Sequence, residues 1–237
     1  MLQFESFHLA ASTPNLDDEP AARPHADLLE FRMDLAADPL SALGAYDGEL
    51  PIMVTNRPEW EGGEHPDGPE RRDQLLDALS EPAVAAVDLE LRALQAPTDR
   101  TDLDPVLDRA QELGLPVVVS VHDFERVPSR STLLGLAQRG CRLGSVAKLA
   151  MTATDPGDVL DLLAATQDLT TCGHTVATMA MGAPGAHSRA IAPLYGSKIG
   201  YAPIDPESAT APGQFDLATL DGLLETFDVE RPADSKV

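Results

Sequence analysis

The stretches PVVVSVHDF at residues 116–124 and SVAKLAM at 145–151, with a segment of helical period at Thr132–Arg139 between them, decide the fold. Each flank is a short run of β-branched and small apolar residues, and the helix between them is too long for a hairpin. Two such strands must lie parallel, joined by a right-handed crossover. Working outward, the same pattern recurs. Strands are expected at Phe4–Ala10, Asp27–Met33, Pro51–Thr55, Val84–Leu89, Pro116–Val121, Ser145–Met151, Thr175–Met181 and Ser197–Ala202. Helical period marks Arg71–Leu79, Asp104–Leu113, Thr132–Arg139, Pro156–Leu169 and Phe215–Phe227, with a weak short helix near Asp17–Arg23. Eight β/α units in 237 residues fit one (β/α)8 barrel, an α/β TIM-barrel fold. A doubly wound open sheet competes, but no GxGxxG follows the first strand. No linker divides the chain, so a single catalytic domain over residues 1–237 is expected, with residues 228–237 as a flexible tail. The irregular stretches Pro58–Glu70 and Pro203–Gly213 follow strands three and eight, where barrel active-site loops sit.

Composition narrows the function classes. The chain holds 17 Lys plus Arg against 39 Asp plus Glu, a net charge of −22. That charge repels phosphates, so neither a nucleic acid nor an anionic membrane surface is an expected partner. No apolar run reaches the roughly 18–20 residues that span a bilayer. The start, MLQFESFHLAAS, carries Glu5 and no basic region and does not read as a signal peptide. Cys141 and Cys172 have neither CxxC spacing nor a secretory context, so a reduced, cytoplasmic protein is expected. Only Lys148, Lys198 and Lys236 are lysines; the other 14 basic residues are arginine. An acid-rich, lysine-poor chain suits folding in concentrated salt, where a Debye length of roughly 3 Å at 1 M screens carboxylate repulsion. A halophilic source is the reading this supports; an ordinary acidic protein is the alternative.

At the carboxyl ends of the expected strands stand Glu30 and Arg32, Arg57, Glu90, His122 with Asp123, Lys148, and Met179 with Met181. Arg189 follows in the seventh loop and Gln214 closes the eighth. Lys148 sits in a strand otherwise fit for burial. A buried ammonium is paired, snorkelling or deprotonated, and a desolvated amine attacks carbonyl carbon to form a Schiff base. The alternative is a lysine whose stem packs in the barrel while its amine meets a carboxylate. His122 is placed to act as a general base near neutral pH, or to serve structure alone. Arg32, Arg57 and Arg189 offer bidentate donors to a carboxylate or hydroxyls, though single arginines more often form surface ion pairs. Met179 and Met181 share one strand face, as core packing or as the soft wall of a site. Pro212-Gly213-Gln214 suits a mobile lid or a plain turn. No HxH or HExxH spacing supports a metal, and no nucleophile elbow or phosphate loop occurs.

Taken in order, LLEFRMDL (28–35), TNRPEWEGG (55–63), VDLEL (87–91), VVSVHDF (118–124), VAKLAMT (146–152), TMAMGAPGAHSR (178–189) and ATAPGQ (209–214) resemble the type I 3-dehydroquinate dehydratase family. The resemblance covers nearly the whole barrel. It implies a (β/α)8 barrel, commonly a homodimer, using neither metal nor organic cofactor. It also implies cis-dehydration of 3-dehydroquinate to 3-dehydroshikimate in the shikimate pathway. On this resemblance Lys148 is the Schiff-base lysine, His122 the general acid/base, and Glu61 the carboxylate that orients that histidine. Glu30, Arg32 and Arg57 bind substrate hydroxyls and help shape the site, Arg189 pairs with the substrate carboxylate, and Gln214 belongs to the lid. Thr210 stands where many members carry serine, Val127-Pro128 replaces the usual TP, and the amino-terminal strand is the least similar part.

Two other functions fit parts of the pattern. Lys148 alone would suit an aldolase-type Schiff-base lyase, although no phosphate-binding glycine loop follows strands seven and eight. A catalytically silent barrel would bind a metabolite or partner, but such a module has no use for lysine, histidine and carboxylate together.

Overall fold

The computed structural model describes residues 2–95, 101–204 and 214–232. Eight parallel strands form one sheet in the order β7-β6-β5-β4-β3-β2-β1-β8. They are β1 His8–Thr13, β2 Leu28–Arg32, β3 Ile52–Thr55, β4 Val84–Glu90, β5 Val117–Asp123, β6 Val146–Thr152, β7 Val176–Met181 and β8 Ile199–Pro203. The helices are α1 Glu19–Ala22, α2 Pro39–Ala45, α3 Pro69–Ala78, α4 Leu91–Gln95, α5 Asp104–Leu113, α6 Arg130–Leu143, α7 Pro156–Thr171, α8 Ser188–Ile191 and α9 Leu217–Thr226. This is the (β/α)8 barrel the sequence leads one to expect. Between β7 and β8 no strand ladder forms, and the barrel closes there through single bonds. The Lys198 N–H donates to the Val176 carbonyl at 2.7 Å, and the Thr178 N–H to the Ser197 hydroxyl at 3.0 Å.

The helices start where side-chain acceptors meet their first free N–H groups. Asp155 and Asp158 form a capping box at α7, with Pro156 in its first turn; Ser129 caps α6 and Asp216 caps α9.

Inside the barrel the pleat sorts residues into tiers, because side chains two apart on a strand share a face. Ala10, Leu28, Met53, Ala86, Val118, Val146, Ala177 and Ile199 pack as an apolar floor, with Phe4 beneath them. Two residues further along each strand stand Ser12, Glu30, Thr55, Asp88, Ser120, Lys148, Met179 and Tyr201, all buried. The next step brings Arg32, Arg57, Glu90, His122, Ala150 and Met181. A dry floor under a polar tier thus faces the carboxyl end of the sheet, where barrels carry their sites.

The structure corrects the first strand, which runs over His8–Thr13 rather than Phe4–Ala10. Phe4 is buried without joining the ladder: it plugs the barrel, so the apolar run extends upstream of the strand it announces. Residues 228–232 are not a loose tail either. The Phe7 N–H donates to the Glu230 carbonyl at 3.2 Å. Arg231 pairs with Asp27 at 2.8 Å and with Asp221, and donates to the His25 carbonyl at 2.7 Å. Residues 233–237 lie outside the described residues. Among the described residues no helix is long and apolar enough to cross a membrane.

Candidate active site

Lys148 projects from β6 into the polar tier and is 5% exposed. Its Nζ donates to Asp88 Oδ2 at 3.2 Å and to Glu30 Oε1 at 3.4 Å, and lies 4.0 Å from the centre of the Tyr201 ring. The two sequence readings of this lysine therefore describe one side chain. It is dry, as a nucleophile would be, and it meets carboxylates, because an ammonium removed from water needs partners.

Those carboxylates are held in turn. Glu30 accepts hydrogen bonds from the Ser12 hydroxyl at 2.5 Å and the Thr55 hydroxyl at 3.2 Å. Asp88 Oδ1 accepts from Arg57 Nη2 at 2.7 Å and from the Ser120 hydroxyl at 2.6 Å. Arg57 Nη1 reaches Glu90 Oε1 at 2.8 Å, and Arg71, fully buried on α3, bonds the other oxygen of Glu90 at 3.1 Å. Burial works against the Asp88 charge, but Arg57, Lys148 and the Ser120 hydroxyl outweigh it and hold that carboxyl below the usual range. Burial likewise opposes the Arg57 charge, and Asp88, Glu90 and Glu61 more than offset it.

His122 ends β5 on the same interior face, two residues beyond Ser120, which is the register partner of Lys148. Glu61, in the turn after β3, approaches it from the side. One oxygen of Glu61 accepts both the His122 backbone N–H and the ring Nδ1–H, each at 3.1 Å. This fixes the ring and leaves Nε2 as the free nitrogen, a tautomer assigned from the hydrogen bonds. Burial pushes the His122 imidazole well below its ordinary value; the Arg57, Lys148 and Arg32 cations push the same way and Asp88 opposes. Burial also pushes the Glu61 carboxyl up to about 8, against the pull of Arg57. These surroundings favour the uncharged imidazole.

Arg189 enters from α8. The turn that carries it leaves β7 through Gly182, at φ +83°, and is tied back where the Ala180 N–H donates to the Ser188 hydroxyl at 2.8 Å. Arg189 is 4% exposed, and its Nε is buried without a hydrogen-bond partner. Burial lowers its guanidinium to about 10. Among the described residues no carboxylate pairs with it, and a buried guanidinium of this kind favours an anion beside it.

One cavity gathers these groups: Glu30, Arg32, Arg57, Glu61, His122, Lys148, Met179, Met181, Arg189 and Gln214 all line it. Thr210 lies outside the described residues. Two arginines are more engaged than the sequence suggests. Arg32 forms a bidentate pair with Asp34 at 2.7 and 2.9 Å, and Arg57 spends its donors on Asp88, Glu90 and Ser120. Reading from strand ends passed over Asp88, Ser12, Ser120 and Tyr201, which share a tier with Lys148 and Glu30. The alternation of Asp88 and Glu90 in a buried strand was the signal for Asp88; two carboxylates on one interior face demand cations opposite them. Among the described residues no three His, Cys, Asp or Glu side chains gather as a metal site.

Comparison with known proteins gives this cavity a context. The family model for type I 3-dehydroquinase matches residues 12–231. A 3-dehydroquinate dehydratase of Haloarcula marismortui is 56% identical over 94% of this chain and 97% of its own, and one of Halobacterium salinarum is 50% identical over 94% and 98%. Both relatives come from halophilic archaea. Among solved structures, a 3-dehydroquinate dehydratase from Geobacillus kaustophilus superposes with a TM-score of 0.83 at 27% identity, covering 96% of this chain and 93% of that one.

Proposed function

The chain belongs to the type I 3-dehydroquinase family, enzymes of a dehydration step in the shikimate pathway, and from that premise we propose that it converts 3-dehydroquinate to 3-dehydroshikimate through an imine on Lys148. The observation that carries the reading is a buried lysine and a histidine lining one cavity with a buried arginine that, among the described residues, pairs with no carboxylate.

In this mechanism Arg189 binds the substrate carboxylate and so presents one face of the ring to the amine. The Lys148 ammonium first gives a proton to the Glu30 carboxylate in contact with it. The free amine attacks the ketone carbon, the N–C bond forms as an amine proton passes to oxygen, and the carboxyl returns its proton as the C–O bond breaks and the oxygen leaves as water. The resulting iminium is a cation where the ammonium was, so Asp88, Glu30 and the Tyr201 ring stabilise it without rearrangement. The iminium draws electrons from the adjacent C–H bond, and His122 Nε2 takes that proton, giving an enamine. The enamine electrons expel the β-hydroxyl, which leaves as water after His122 returns the proton on the same face. Hydrolysis of the conjugated imine releases the enone and restores the amine. Glu61 orients His122 and stabilises the imidazolium while it exists.

Glu30, Arg32 and Arg57 set the polar wall that meets the substrate hydroxyls, Arg57 chiefly by holding Asp88 and Glu90 in place. Met179 and Met181 form the apolar wall, Gln214 lines the cavity beside them, and a substrate-binding role for Gln214 and Thr210 is assigned on the family resemblance. We assign one catalytic domain, a cytoplasmic location and a homodimeric state on the family resemblance. The direct test is ultraviolet absorbance on adding 3-dehydroquinate, since the conjugated enone exists only in the product. Absorbance growing with the enzyme and absent with Lys148→Ala is expected; equal growth in that variant overturns the reading.

A further inference from the structure

Phe124 lies just beyond His122 and lines the mouth of the cavity, yet it is 54% exposed, a large apolar ring held half in water. Its ring is within 10° of parallel to the His122 imidazole, with centroids 5.9 Å apart. Its far edge rests on Gly62, the residue after Glu61. A Cβ built on Gly62 would stand 2.4 Å from Phe124 Cζ, and Gly62 takes φ +80°, a conformation that favours glycine. The ring thus spans from the imidazole to the turn that supplies its carboxylate.

The backbone holds Phe124 in that place. Asp123 Oδ1 accepts the N–H groups of Glu125 and Arg126 at 2.9 and 3.0 Å, and the Asp123 carbonyl accepts the Thr152 hydroxyl of β6 at 3.1 Å. A ring anchored this way and left half-exposed does little for the core. Its covered face lies against His122 and its edge against Gly62, beside the two ends of the His122–Glu61 hydrogen bond.

We propose that Phe124 is a positioning residue: together with the bare backbone of Gly62 it forms an apolar cover that keeps water off the His122–Glu61 pair and holds the imidazole neutral. The inference deepens the role given to His122 above and rests on that reading for its catalytic meaning. The charged groups that face His122 are Glu61 from the turn after β3, Arg57 from the end of β3, Arg32 from β2, Asp88 from β4 and Lys148 from β6. Removing Phe124 leaves each of them in place and changes only the access of water. An imidazolium that water can reach forms more readily, so the protonation midpoint should climb toward its ordinary value.

The test compares Phe124→Ala and Phe124→Leu with the parent enzyme by NMR titration of carbon-13-labelled histidine without substrate, and by the pH profile of kcat/KM. In Phe124→Ala the His122 midpoint should rise by about one pH unit, a tenfold change in imidazolium at a given pH, and the acid limb of kcat/KM should move up with it. Phe124→Leu, still apolar but without the stack, should give a smaller shift in the same direction, and it serves alone should the alanine variant fail to fold. An unmoved His122 midpoint in a folded variant overturns the proposal. A moved midpoint with an unmoved kcat/KM limb upholds the cover and overturns the acid/base role of His122.

Discussion

At the scale of single residues, the site is an exercise in compensated burial. Lys148, Arg57, Asp88, Glu30 and Glu90 are all nearly inaccessible to water, and each charge has an opposite charge within 3.4 Å. Removing one partner from such a set leaves an uncompensated buried charge, which typically costs about 3–5 kcal/mol. Arg189 is outside this arrangement among the described residues, which is why the proposed mechanism gives it the substrate carboxylate. Glu61 carries a pH signature. Its carboxyl titrates at about 8, above the 4.5 of an ordinary glutamate, so the folded state binds the proton more tightly than the unfolded chain does. The contribution of Glu61 to unfolding free energy therefore falls as pH rises from about 4.5 to about 8. Glu61→Gln, neutral throughout, should lose stability less steeply than the parent across that window. Urea melts at intervals of one pH unit check this, and parallel slopes for the two proteins would contradict it.

At the scale of elements, the strands were legible because each is a short β-branched run with a buried face, and the long helices because their apolar residues recur with helical period. Asp104–Leu113 is found with the bounds expected. The helices that escaped are short: α2 and α4 have seven and five residues and α8 only four, too few for a period to show. The residues at strand ends were legible for the same reason as the strands. Asp88, Ser12 and Tyr201 were not: they share a tier with Lys148 and Glu30, and their part shows only in the contacts they make with those two side chains. The end of the chain taught the opposite lesson, since a polar stretch that reads as dispensable holds Arg231, a clasp from beyond α9 to β2 and to Asp221. Arg231→Ala takes the cation from Asp27 and leaves Asp221 with His25 alone, and should destabilise the fold by about 3 kcal/mol while kcat stays near the parent value, since the clasp touches no residue lining the cavity. Thermal melting with steady-state assays reads both; an unchanged melting temperature would show the clasp to be without consequence.

At the scale of the whole molecule, the charge of −22 and the site obey different electrostatics. Surface carboxylates repel one another across water and are screened by salt, whereas the buried pairs around Lys148 are screened far less. Stability should therefore rise with KCl from dilute buffer to molar concentration, while Phe124, Glu61 and His122 keep their relations. Melting curves over that range provide the check, and a melting temperature indifferent to salt would contradict the reading of the composition. The tiered interior makes the division visible: an apolar floor packs the base of the barrel, and the tier above it gives a polar chamber of buried side chains.

The central claim is that the Lys148 amine condenses with the substrate ketone. Borohydride added to the enzyme with 3-dehydroquinate reduces an imine to a stable amine, and peptide mass spectrometry then locates the added mass. The account predicts that mass on the peptide containing Lys148, with loss of activity in proportion. Turnover of 3-dehydroquinate with no trapped mass there, or with the mass on Lys198 or Lys236 instead, would contradict it.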